Sequence, residues 1–246
     1  ASGTGKTSLL QAGVAPRLKR VGYDTAMVRL LDDPVEAVMK DVQKARGQQI
    51  SGLPLHLVDF FEGLPPAERW VVCLDQFEEF FVHQLPKDRE RFRAEAAACT
   101  AGRERDVRFV FSVREDFVGQ MQELRAAMPD LWINSHRLMP LSRSEAALAG
   151  AAPAARAGLH YEPGLVEHEL LEELGEGDSV APPNLQIVCK ILYQEVLSQA
   201  QEEAQALVAA WQKAHPDLDS RYPVCYAVTR ARYRDQGGAH NILRGH

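Results

Sequence analysis

The 246-residue chain has no apolar run near the roughly 18 residues that a membrane-spanning helix needs, and no signal-peptide layout at its start. It therefore reads as cytoplasmic, with no membrane partner. A basic excess is missing too: 28 Lys and Arg stand against 34 Asp and Glu, a formal net charge of −6, which argues against direct nucleic-acid binding. The four cysteines (Cys73, Cys99, Cys189 and Cys225) form no C-x-x-C pair, so reduced thiols are expected and metal ligation is disfavoured. His168-Glu169 lacks the second histidine of a zincin helix, and no G-x-S-x-G is present. What remains is a globular profile, 46% hydrophobic and 25% charged, in a chain longer than one average domain.

The first half alternates strand and helix patterns. Thr7 to about Arg20 predicts a helix with Leu9, Leu10, Val14 and Leu18 near one face, bent in its last turn by Pro16. Ala26 to Leu31 predicts a strand, and Asp33-Pro34-Val35-Glu36 a helix start with a capping pattern. Trp70 to Leu74 and Val107 to Val113 predict further strands, with a helix from Arg89 to about Ala101 between them. Strands separated by helices imply a mostly parallel sheet that binds ligands at its carboxyl ends. From about His136 the pattern becomes helical: 144–156, 163–174, 184–199 and a polar stretch at 198–210. The expected fold is an α/β, three-layer α/β/α sandwich over 1–135, followed by a helical lobe over 136–246. Residues 160–210 carry ten acids and one base, and 211–246 six bases and three acids, a contrast that solvated helix faces explain.

The start of the chain carries the chemistry. Ala1-Ser2-Gly3-Thr4-Gly5-Lys6-Thr7-Ser8 matches all of the phosphate-loop pattern G-x-x-x-x-G-K-(S/T) except its leading glycine, which would fall one residue before Ala1. Gly3 and Gly5 let backbone N–H groups turn toward phosphate oxygens, Lys6 neutralises β- and γ-phosphate charge, and the Thr7 hydroxyl is placed for Mg²⁺. A glycine-rich turn opening an ordinary helix is the competing reading. The expectation is a fragment of a longer protein, lacking the strand that feeds the loop. Residues 1–246 alone are then expected to bind nucleotide poorly and turn it over weakly or not at all. Ordering a loop at the chain terminus costs about 1–2 kcal/mol per residue.

Val71-Val-Cys-Leu-Asp75 describes a buried strand that delivers a carboxylate to the sheet edge, where it can hold Mg²⁺. Glu78 and Glu79 follow closely enough for either to polarise an attacking water. Phe109-Val-Phe-Ser-Val-Arg114 is another apolar strand ending in charge. Arg114 can report on the γ-phosphate, or it can pair with Glu115 or Asp116.

These segments together resemble the STAND class of P-loop NTPases, AAA-related signal-transduction ATPases, and within it the bacterial novel STAND group. The resemblance covers S-G-T-G-K-T-S-L-L-Q-A-G (2–13), V-R-L-L-D-D-P (28–34), L-D-Q-F-E-E-F-F (74–81) and F-S-V-R-E-D-F (111–117). It continues through L-M-P-L-S-R-S-E-A (138–146), P-A-A-R-A-G-L-H-Y-E (153–162) and N-L-Q-I-V-C-K-I-L-Y (184–193), and ends on Tyr233, Gly237-Gly238 and Ile242-Leu243. It implies ATP or ADP contacts at Gly3, Thr4, Gly5, Lys6, Thr7 and Ser8, and Mg²⁺ at Thr7 and Asp75. It also implies a water-activating acid at Glu78 or Glu79, a γ-phosphate sensor at Arg114, and an adenine contact at Pro183. The last transfer competes with a plain helix-start proline.

The function that the resemblance implies is a slowly hydrolysing ATP-dependent signalling switch. Self-association in the ATP state, fused sensor repeats and an effector domain are implied with it. A nucleotide-binding scaffold with negligible turnover and a small-molecule kinase are the competing classes. The intact acids argue against the scaffold, and the lack of an acceptor pocket against the kinase.

Overall fold

In the computed structural model, residues 4–47, 52–101, 105–156, 159–196, 198 and 226–245 are described. The chain forms two compact units, Ala1–Arg137 and Leu138–His246. In the first, three parallel strands pair in the order β1 (Asp24–Val28), β2 (Trp70–Leu74), β3 (Val107–Phe111). All five residues of β2 are buried, which is why its sequence is continuously apolar. β1 starts and ends earlier than the 26–31 pattern suggests. Leu30 belongs to the core but lies beyond the strand, in the loop that leads to Asp33.

Strand alternation sorts the side chains onto two faces. Helix α1 (6–20) supplies Leu10, Val14 and Leu18 to one cluster, which meets Met27, Val71, Cys73 and Val110 of the sheet. The other face, with Ala26, Val28, Val72, Leu74, Phe109 and Phe111, packs on α2 (Pro34–Arg46), α3 (Leu57–Glu62) and α5 (Pro86–Ala101). Helices therefore cover both faces of a parallel sheet, in three layers. Each large apolar side chain fully buried there stabilises the unit by about 1.5–3 kcal/mol.

Local chemistry sets the ends of these elements. Asp33 caps α2, its Oδ1 accepting from Val35 N (2.9 Å) and Glu36 N (3.0 Å). Glu36 pairs with Lys40 instead of closing a capping box. α1 is not uniformly α-helical: Leu9–Val14 is a π-helical stretch between Lys6–Ser8 and Ala15–Arg20. Pro16 lacks an N–H and would crowd the Ala12 carbonyl in a regular α-helix, which the wider turn relieves. At the amino ends of the strands, Asp106 accepts from Arg69 (Nε 2.9 Å, Nη2 2.8 Å), Arg108 (2.9 Å) and Tyr23 (2.7 Å). Burial works against the charge on Asp106, but the hydrogen bonds from Tyr23, Arg69 and Arg108 outweigh it and hold its pKa near about 2. This clamp ties together the residues before β1, β2 and β3, and so fixes their register at the end away from the phosphate loop.

The second unit is less purely helical than the sequence suggests. It contains β4 (Leu141–Ser142), α6 (Arg143–Arg156), β5 (Leu159–Tyr161), a π-helical turn Val166–Leu170 continued by Leu171–Leu174, and β6 (Gly175–Glu176) with β7 (Ser179–Val180). A helix over 182–196 follows, then β8 (Tyr226–Val228) and helices Arg230–Asp235 and Gly238–Gly245. The strands pair as an antiparallel sheet in the order β4-β7-β6 and as a parallel pair β5-β8. Such two- and three-residue strands are held by tertiary packing and show no period of their own. Arg230 fastens β8 to the turn after β5, its guanidinium binding Glu162, Glu169 (2.7 Å) and the Pro163 carbonyl (2.7 Å). Tyr233 is buried and its hydroxyl accepts from Ala239 N (2.9 Å). The polar helix expected at 198–210 lies, apart from Ser198, outside the described residues.

Candidate functional site

α1 begins at the carboxyl end of the sheet. Gly5 precedes its first turn with φ 82°, a left-handed conformation that costs a glycine little and other residues more. Its carbonyl accepts from Leu9 N (2.8 Å), which makes the turn continuous with the helix. Thr4, Gly5, Lys6 and Thr7 are half-buried and Ser8 is exposed, while Gly3 lies outside the described residues. The first contact with the acidic strand is direct. Thr7 Oγ1 donates to Asp75 Oδ2 at 2.7 Å, across 68 residues of sequence.

Asp75 is delivered by β2. It is 4% exposed, its backbone N donates to Val28 O (2.9 Å), and its Oδ1 is buried without a hydrogen-bond partner. Gln76, with φ 54°, then takes the left-handed conformation. The ladder skips it: Ser112 N donates to Leu74 O (2.9 Å), and the next bond to Ser112 O comes from Phe77 N (2.8 Å). Gln76 is thus one inserted residue, the device by which a strand re-aims the residues after it.

The chain then turns into a helix, α4 (Glu78–His83), so Glu78 and Glu79 stand in its first turn and not on the strand. Acids there are favoured by the N–H groups of the helix start. The intervening phenylalanines anchor the turn. Phe77 is 1% exposed, stacks on Phe80 (ring centroids 4.8 Å apart) and meets Phe111 edge-on at 4.9 Å. Glu78 Oε2 accepts from Arg114 N (3.1 Å), beyond the end of β3, and Glu79 Oε2 is buried without a partner. The burial of Cys73, and second the nearby Asp75, push its thiol up to about 11, so it stays protonated beside the site.

Arg114 is engaged by a partner two residues along the chain. Its guanidinium pairs with Asp116 and lies 5.9 Å from the Phe117 ring centroid, with Nε buried and unpartnered. Of the two readings of Arg114, the ion pair is the arrangement present. Pro183 stands in the first turn of the helix over 182–196, in the second unit.

Two polar residues at this end of the sheet escaped the sequence reading. Gln84 Nε2 donates to Leu30 O (3.0 Å), Leu31 O (3.3 Å) and Asp32 O (2.8 Å), which pins the loop after β1. Ser112 is 8% exposed and its hydroxyl oxygen is buried without a partner. A usable signal existed for Ser112, because alternation on β3 places residues 110 and 112 on the face of 71, 73 and 75.

A magnesium nucleotide fits these donors. Mg²⁺ prefers hard oxygen ligands, which Thr7 and Asp75 supply, and the orphan Asp75 Oδ1 is an acceptor with no protein donor to displace. Lys6, half-buried at the same turn, brings the positive charge a phosphate chain needs. No helix among the described residues is long and apolar enough to cross a membrane.

No curated protein matches the sequence. A solved structure, the ORC2 protein of Aeropyrum pernix in its ADP form, shares the fold with a TM-score of 0.58 at 16% identity. The match covers 81% of this chain and 56% of that one, so the chain spans little more than half the length of that neighbour. The model of the family Novel STAND NTPase 1 matches residues 1–243, and with the fold above it the chain belongs to the novel STAND NTPases.

Proposed function

We propose that the chain is the nucleotide-binding engine of an ATP-dependent signalling switch, with slow hydrolysis resetting it. The observation that carries this reading is the Thr7–Asp75 hydrogen bond at 2.7 Å, beside Lys6 and the left-handed Gly5. It brings together a hydroxyl, a carboxylate and a cation at the carboxyl end of a parallel sheet, where a nucleotide polyphosphate with Mg²⁺ is bound in such folds. Gly3, Thr4, Gly5 and Ser8 would contribute backbone and hydroxyl contacts to the phosphates, and Thr7 and Asp75 would hold Mg²⁺. The metal would supply charge neutralisation along the transferring phosphate. Glu78, fixed beside the end of β3 by Arg114 N, is the better placed acid for activating water, with Glu79 the alternative. Pro183 remains the proposed adenine contact.

The switch reading gives Arg114 a specific role. The Arg114–Asp116 pair is exposed, at 38% and 54% for the two side chains, and solvent screens a pair of that kind. A γ-phosphate competes for the guanidinium at little cost, so Asp116 is a parking place for Arg114 in the absence of ATP. ADP cannot draw it away. Self-association in the ATP state, fused sensor repeats and an effector domain complete the proposal; the ORC2 neighbour, described in an ADP form, is a precedent for nucleotide in this fold.

The test is a pair of affinities and a rate on the full-length protein. Phosphate release from ATP should be measurable, and Arg114→Ala should weaken ATP binding about tenfold more than ADP binding. Equal loss for both nucleotides would leave Arg114 a structural residue. Nucleotide binding without any phosphate release would favour the scaffold.

A further inference from the structure

Of the buried polar atoms without a partner at the site, two sit on facing strand positions and are chemically complementary. Asp75 Oδ1 is an acceptor, Ser112 Oγ carries a donor proton, and both are shut off from solvent. Buried polar atoms are paired in the great majority of cases, so orphans of opposite character at one site require a reason.

Strand register places the two residues next to each other. Leu74 pairs with Phe111, and the backbone bonds Ser112 N to Leu74 O (2.9 Å) and Phe77 N to Ser112 O (2.8 Å) extend that ladder one step, setting Ser112 opposite Asp75. Neighbouring strands lie about 4.8 Å apart, close enough for facing side chains to meet after a small adjustment. Alternation puts both on the same face. Asp75 continues the row of Val71 and Cys73, and Ser112 continues from Val110, all on the side covered by α1. The Thr7 bond confirms the face for Asp75. Arg114 is two residues further along the Ser112 row and is already engaged with Asp116.

Resting on the nucleotide reading above, we infer that Ser112 is a positioning residue for Asp75. When a magnesium nucleotide fills the site, the Ser112 hydroxyl donates to one lone pair of Oδ1, leaving the other for the metal's shell, and Thr7 donates to Oδ2 as it does here, which fixes the rotation of the carboxylate. Ser112 does not touch the nucleotide in this account; it acts through Asp75. Partners of this kind, one step removed from a metal, typically change metal affinity ten- to a hundredfold when lost. Thr7 alone leaves the carboxylate free to swing about its one held oxygen.

The experiment measures ADP affinity of the full-length protein by calorimetry, with Mg²⁺ and with EDTA, for the parent, Ser112→Ala and Ser112→Thr. Ser112→Ala should weaken Mg²⁺-ADP binding about ten- to a hundredfold and leave metal-free ADP binding within about twofold. Ser112→Thr keeps the hydroxyl and should restore the Mg²⁺ increment. A merely structural serine would lose affinity equally with and without Mg²⁺, together with thermal stability, and that result overturns the inference. So does an Ala variant whose Mg²⁺ increment equals that of the parent. If the parent binds no nucleotide under either condition, the phosphate-loop reading itself fails, an outcome separate from the other two.

Discussion

Lys6→Ala in the full-length protein is expected to weaken ATP and ADP binding alike, by at least about a hundredfold in a calorimetric titration. Lys6 opens α1 directly after the left-handed Gly5, so its position is set by a turn and not by a mobile loop. A charge-assisted hydrogen bond contributes about 1.5–3 kcal/mol, and a lysine facing two phosphates makes more than one. A hundredfold change corresponds to about 2.7 kcal/mol, so the estimate asks for no more than such contacts supply. Lys19→Ala, on the exposed end of the same helix, is the control and should bind as the parent does. Unchanged affinity in the Lys6 variant would remove the basis for a phosphate site here.

The second large effect is expected at Glu78. Glu78→Gln retains an oxygen that can accept from Arg114 N, so the turn after β2 should keep its shape. It loses the basicity needed to take a proton from water. General-base catalysis contributes typically 10²–10⁴-fold, so phosphate release should fall by about that factor while ATP affinity stays within severalfold. Glu79→Gln should lose much less. The opposite ranking, with Glu79→Gln inactive and Glu78→Gln active, would transfer the role to the second acid; two active variants would remove it from both.

The parts of the fold written in local chemistry were legible in the sequence. Trp70 to Leu74 announces a strand buried on both faces by being apolar throughout, and Asp33-Pro34 announces a capped helix. The family resemblance carried the reading from these elements to a P-loop fold. Legibility failed where a non-local partner decides the outcome. β5 finds its partner β8 far along the chain, and neither is long enough to show alternation. Leu57–Glu62 is a helix of six residues, too short to display a face, and its first N–H is taken by Glu95 (2.8 Å), distant in sequence. The π-helical stretch of α1 follows from how Pro16 is accommodated, which the pattern of leucines does not encode.

At the site the division is similar. The proximity of Thr7 to Asp75 follows from two motifs whose spacing is fixed by the sheet. The helical placement of Glu78 and Glu79 follows from the inserted Gln76, and from phenylalanines that bury between the acids. The D-Q-F-E-E-F-F run therefore serves both purposes, acids for the strand ends and rings for the core. The pairing of Arg114 with Asp116, and the orphaned atoms of Asp75 and Ser112, depend on which side chains meet in three dimensions.

The central claim is that Asp75 and Thr7 hold a metal against a nucleotide. The most direct test is ATP affinity of the parent and Asp75→Asn, each with Mg²⁺ and with EDTA. Asparagine keeps an acceptor for the Thr7 hydroxyl but has no charge for the cation. The parent should bind ATP more tightly with Mg²⁺ than without, and Asp75→Asn should lose most of that increment while keeping the metal-free affinity. A variant that gains as much from Mg²⁺ as the parent would contradict the account.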